Sequence, residues 1–183
     1  MGKTYLSISS EVADWVRRQP MFFVASAPLS AQGHVNCSPK GRDTFRVLDP
    51  LTVAYADLTG SGAETAAHLK ENGRIVLMFC AFEGTPKIMR FHGRGEVIVP
   101  SSEEWSALKG NFPPHSSMRA IVRVRVSRVS DSCGFAVPHM QLVEERDVMD
   151  RWVETKGLEN LPAYRREKNA CSIDGLPTPK FDE

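Results

Sequence analysis

Residues 118–130 run Met-Arg-Ala-Ile-Val-Arg-Val-Arg-Val-Ser-Arg-Val-Ser, and no other stretch constrains the fold as strongly. Val122, Val124 and Val126 alternate with Arg123, Arg125 and Ser127. A period of two places every second side chain on the same side of an extended chain, so this is a long strand with one apolar and one basic face. Such a strand needs neighbours on both edges and a cover over its apolar face.

The neighbours are in the sequence. Residues 21–27 are apolar and rich in Phe and Val; Pro28 and Gly33 bracket a turn, and 34–38 continue as a second strand, which makes a hairpin. Residues 51–56 are again β-rich. Residues 74–82 are almost continuously apolar, the pattern of a strand buried on both faces. Residues 87–99 form a long strand in which Gly93 and Gly95 mark a bulge or a close backbone approach. Short turns join several of these segments, so the sheet is mostly antiparallel.

Helices punctuate the strands. Ser9 and Ser10 cap a helix with Val12, Trp15 and Val16 on one face, and Pro20 lies past its end. Residues 63–72 are helical, with Ala66, Ala67 and Leu69 as contacts and Gly73 as the stop. Ser101 and Glu104 have capping-box spacing ahead of a short helix closed by Gly110. Residues 144–156 carry Val148, Met149, Trp152 and Val153 on one stripe, and a Pro/Gly-rich tail begins at Asp174. The economical architecture is a mainly β (α+β) fold: one small barrel with helices packed outside it.

Composition narrows the functional classes. At 183 residues with a formal net charge of +1, the chain is one domain without a whole-protein field toward nucleic acid or acidic membranes. No apolar run approaches the roughly 20 residues that cross a bilayer, and residues 1–19 have no secretory or transit pattern. Cys37, Cys80, Cys133 and Cys171 show no CxxC spacing, and the histidines show no HxxxH or HExxH arrangement, so no metal site is expected. The expectation is a cytoplasmic protein with free thiols, each a small buried hydrophobe.

Several segments have the residue types that hold a ligand. Leu58-Thr59-Gly60-Ser61-Gly62-Ala63-Glu64-Thr65 joins a strand to a helix. Glycines turn backbone N–H groups toward one point, the helix start adds partial positive charge, and Ser61 and Thr65 add hydroxyls, which together suit a phosphate. A tight turn before a helix accounts for the same residues, and without a GxxxxGK[ST] lysine a nucleotide-hydrolysing loop is excluded. Asn36-Cys37-Ser38-Pro39-Lys40-Gly41-Arg42 ends a strand with two cations, of which Lys40 suits a phosphate. Arg90 and His92 share one face of the 87–99 strand, and Arg90 is a candidate for an anionic ligand. The Arg123/Arg125 face suits RNA or an acidic partner, or solvent. Cys133 lies in a Gly- and Pro-containing loop with Gly134, Pro138 and His139, more suited to structure or substrate lining than to nucleophilic catalysis.

From about Met21 to about Ser130 these pieces, in this order, resemble the pyridoxamine 5′-phosphate oxidase-like superfamily of flavin-binding split barrels. The carrying segments are Val35 to Lys40, Val53 to Asp57, Gly60 to Thr65, Asn72 to Phe79 and Met89 to Glu96. The stretch from Ser132 onward is similar to an oxidase-related branch. The resemblance implies a six-stranded antiparallel split barrel with peripheral helices, in a single domain 1–183 with its core at 21–130 and a helical extension and tail at 131–183. It implies a homodimer with FMN between subunits, an unidentified small-molecule substrate, and no nucleic-acid or membrane partner. It assigns Lys40 to the FMN phosphate, and Ser61, Gly62, Glu64 and Thr65 to the phosphate and ribityl chain. Asn36, Cys37 and Ser38 would line the isoalloxazine, the strand with Tyr55, Ala56 and Asp57 would pass near the ring, and Arg90 would face the cofactor. No catalytic acid or base is assigned. The implied function is an FMN-binding oxidoreductase; the alternative is a non-catalytic flavin-, deazaflavin- or haem-binding protein on the same barrel. The chain departs from the oxidases proper at two places. Ser61-Gly62-Ala63 stands where they place an Arg and a Lys, and Gly175-Leu176-Pro177 stands near their Arg-Leu-x-Pro motif.

Overall fold

A computed structural model describes residues 2–182. It contains β1 (Thr4–Tyr5), α1 (Ser10–Arg17), β2 (Phe22–Ser26), β3 (Asn36–Lys40), β4 (Phe45–Asp49) and β5 (Thr52–Leu58). Then follow α2 (Glu64–Asn72), β6 (Arg74–Cys80), β7 (Ile88–Ile98), α3 (Trp105–Lys109), β8 (Met118–Ser132), α4 (Val148–Lys156) and α5 (Leu161–Lys168). The strands form one antiparallel sheet in the order β3-β2-β6-β7-β8-β5-β4, with β1 beside β8.

Side chains close the sheet into a barrel where backbone pairing does not. Phe22, next to one edge, lies 5.4 Å from Phe45 on the other edge strand, centroid to centroid. Phe79, Phe91 and Tyr55 complete this aromatic cluster at 4.9–6.4 Å, within the range of favourable ring contacts. Val122, Val124 and Val126 line the same interior, so the alternating strand does turn its apolar face inward. The seam between β3 and β4 stays open, which makes the barrel split.

All six strands expected from the sequence are present, and two more join them. β1 spans two residues, and β4 is a short segment interrupted by Arg46, so neither has a period long enough to read. The bulge expected in β7 falls between His92 and Gly93. A Cβ at Gly95 would stand 3.0 Å from Leu69 on α2, so this glycine admits the helix.

Ser9 caps α1 by accepting the Val12 N–H at 3.3 Å, and Val12 and Val16 enter the core. Gly73 ends α2 at φ +71, the left-handed conformation for which glycine has no steric penalty.

Four local expectations are corrected. The capping box at Ser101 and Glu104 does not form: Ser102 Oγ accepts from Val99 N at 3.1 Å, Glu104 turns toward Arg123, and α3 starts at Trp105. The helix expected from 144 begins at Val148, and only Val153 of its stripe is buried; Trp152 packs on Tyr164 of α5 at 5.0 Å. β6 is fully buried on one face only, because Val76 and Met78 point outward beside Phe23 and Ala25, where all four are only half-buried. Only Cys80 is buried; Cys37, Cys133 and Cys171 are exposed, since β3 turns Cys37 outward and the other two lie beyond the sheet.

Candidate functional site at the barrel seam

The period of two along β3 separates its residues. Asn36, Ser38 and Lys40 are half-buried, while Cys37 and Pro39 point out. Lys40 crosses the seam, and its Nζ donates to Asp57 Oδ1 at 2.8 Å. The same ammonium stands 5.7 Å from the centroid of the Tyr55 ring, a cation–π distance. Asn36 Nδ2 donates to Thr65 Oγ1 on α2 at 3.0 Å, and Ser38 Oγ donates to Asn36 Oδ1 at 3.2 Å. The edge strand, β5 and the start of α2 are thus held together by polar side chains.

Asp57 is buried and takes two cations. Arg119 Nε donates to its Oδ2 at 2.8 Å, opposite Lys40. Burial alone pushes this carboxyl up, but Arg119 and then Lys40 outweigh it and hold the group well below the usual carboxylate range. The three groups together keep one net positive charge at the seam.

Arg119 also reaches the loop before α2. Its Nη2 donates to Gly62 O at 2.9 Å and its Nη1 to Asn169 Oδ1 at 2.7 Å, while the guanidinium lies 5.0 Å from the Phe181 ring centroid. Asn169 Nδ2 donates to Gly60 O at 2.9 Å, and Arg165 Nε donates to Thr59 Oγ1 at 2.9 Å. The tail after α5 therefore packs behind the loop. Sequence reasoning passed over Arg119, Asn169 and Arg165. The available signal was Arg119 itself, a cation inside the apolar start of β8 that requires a buried partner.

The remaining candidates divide. Ser61 and Gly62 are exposed at the loop tip, and Glu64 Oε2 accepts from Ile173 N at 3.0 Å. Ala56 lies on the other face of β5, in a second core cluster with Ile98, Phe112 and Met118, and its N–H is bound to Thr44 O at 2.8 Å. Arg90 is on the outer sheet face with Cys37 and donates to Ser132 Oγ at 2.8 Å; neither joins the Lys40 cluster within one chain. Arg42 turns toward α4 and pairs with Asp150. Arg123 pairs with Glu96 at 2.6 Å and with Glu104 at 3.4 Å, so half of the expected basic strand face is neutralised. A cleft of about 900 Å³ between Trp15, Pro20, Phe82 and Met140 contains none of the candidate residues.

Tyr55 is fully buried, and its hydroxyl has no hydrogen-bond partner among the described residues. An unsatisfied buried hydroxyl costs roughly 1–3 kcal/mol. Tyr55→Phe is expected to raise stability by about 1 kcal/mol, read as a higher urea midpoint with an unchanged slope.

These features define a split-barrel protein with a polar site at its seam. The chain belongs to the pyridoxamine 5′-phosphate oxidase family, which it matches over residues 8–133. It is 40% identical over 190 residues to the pyridoxamine 5′-phosphate oxidase family protein ustO of Aspergillus flavus, covering 94% of this chain and 76% of that one. Its fold is similar to that of HupZ from Group A Streptococcus, at 25% identity and a TM-score of 0.52 over 67% of this chain and 91% of the other. It is also similar to a Lactobacillus delbrueckii protein described under the same oxidase name, at 18% identity and a TM-score of 0.52 over 69% and 98% of the two chains. No helix among the described residues is long and apolar enough to cross a membrane.

Proposed function

We propose that this protein is an FMN-binding oxidoreductase that acts as a homodimer, with the flavin phosphate held at the barrel seam. The observation that carries this reading is the polar cluster of Lys40, Asn36 and Ser38 on β3, joined through Asn36 to Thr65 on α2 and through Asp57 and Arg119 to the 59–63 loop. The donor set fits a phosphate monoester. The Lys40 ammonium has three donors and uses one on Asp57. Ser38, Ser61 and Thr65 bring hydroxyls, and α2 begins at Glu64 without a capping side chain, leaving its positive end for an anion.

The bound flavin would supply a carrier of electron pairs, and the protein would supply position and electrostatics. Lys40 would hold the phosphate, with Asp57 fixing the ammonium in place. Asn36 and Ser38 would offer polar contacts along the edge strand. The half-exposed apolar face of Phe23, Ala25, Val76 and Met78 adjoins Cys37 and Arg90 on the outer sheet. A second copy covering that face would bury it and bring Cys37 and Arg90 into an intersubunit site.

The test is the absorption spectrum after FMN addition and gel filtration. Near-UV and blue flavin bands co-eluting at the mass of a dimer support the proposal; a colourless protein rejects it. Lys40→Met is expected to weaken FMN binding about tenfold, the loss of one charge-assisted hydrogen bond, measured by quenching of flavin fluorescence.

A further inference from the structure

The carbonyls of Gly60 and Gly62 both point inward, onto Asn169 Nδ2 and Arg119 Nη2, each at 2.9 Å. No peptide bond among the described residues is cis. In a trans peptide the C=O of one residue and the N–H of the next point in opposite directions. The N–H groups of Ser61 and Ala63 therefore point away from Arg119 and Asn169, to the opposite side of the loop. Neither N–H has a protein acceptor among the described residues. Two such N–H groups ahead of a helix form a concavity for an anion.

Arg119 and Asn169 fix each other as well as the loop, through the 2.7 Å bond between Arg119 Nη1 and Asn169 Oδ1. Phe181 lies against the guanidinium, and Thr178 Oγ1 donates to Asn169 O at 2.6 Å. The tail thus holds the two side chains that set the orientation of the loop's peptides.

We infer that Arg119 and Asn169 are positioning residues that preorganise the Ser61 and Ala63 amides for the phosphate, making residues 169–181 part of the cofactor site. This rests on the proposed FMN binding, and the ligand class it adds is the phosphate group itself. The cation supplied from behind the loop also answers the absence of Arg and Lys from Ser61-Gly62-Ala63.

The test compares FMN with riboflavin, which lacks the phosphate, on the full chain carrying Asn169→Ala or Arg119→Lys, by flavin fluorescence quenching. Asn169 is also buried, but Asn169→Ala removes a neutral amide and leaves the Arg119–Asp57 ion pair in place, so it serves if Arg119→Lys does not fold. FMN affinity is expected to fall tenfold or more while riboflavin affinity stays within twofold. Unchanged FMN affinity in folded Asn169→Ala overturns the inference, as does an equal loss for both flavins. If the wild-type chain binds neither flavin, the FMN reading fails, and inorganic phosphate then decides the loop's role by amide NMR. Phosphate-dependent shifts at Ser61 and Ala63 that vanish in Asn169→Ala sustain it, and their absence in the wild type overturns it.

Discussion

Replacing Asp57 with alanine is expected to cost about 3–5 kcal/mol, the typical loss when one partner of a buried ion pair is removed. Asp57 and Arg119 have side chains only 7% and 5% exposed, so the guanidinium left behind cannot be rehydrated. Lys40 is 21% exposed and can turn to water, so Arg119 accounts for most of the cost. Asp57→Asn keeps the volume but leaves two positive charges facing each other, and its loss is expected to be comparable. Urea unfolding at pH 7 measures both variants.

The same carboxylate sets a pH dependence. Its folded pKa lies well below the unfolded value of about 4. A depressed carboxyl contributes its stability in full above the unfolded pKa and loses it as pH falls through the folded one. The stability gap between wild type and Asp57→Asn is therefore expected to be constant from pH 8 to 5 and to narrow below about pH 4. A gap that widened with acid would contradict the assignment.

Gly93→Ala is the second large effect, expected at about 3 kcal/mol or more, the upper range for overpacking. A Cβ there would stand 2.2 Å from the carbonyl oxygen of Arg125 and 2.9 Å from its carbon. Both atoms are backbone of β8, so no side-chain rotation relieves the clash. The bulge at His92 and Gly93 would have to open, and β7 and β8 form the centre of the sheet. Gly60→Ala is the control: a Cβ there meets nothing within 4 Å, and its stability change is expected within about 0.5 kcal/mol. Thermal unfolding of the two variants side by side makes the comparison.

The local grammar of the chain was legible without the fold. Alternation at Val122, Val124 and Val126 identified the barrel's inner face, and Gly73 and Gly93 marked a helix end and a bulge, because each acts through its own backbone or its nearest periodic neighbours. Lys40, Asn36 and Thr65 were legible as polar residues at element ends, and family resemblance grouped them. What could not be read were contacts that join distant parts of the chain. Arg119 meets Asp57 and Asn169 across 62 and 50 residues. The Ser101 capping box was locally sound, yet Ser102 rather than Ser101 accepts a backbone hydrogen bond, from Val99, and Glu104 pairs with the distant Arg123 instead. Periodicity and turn chemistry act over a few residues and so are written in the sequence. Partner choice for a buried charge depends on which side chains the closed barrel brings within 3 Å, and only the tertiary structure decides that.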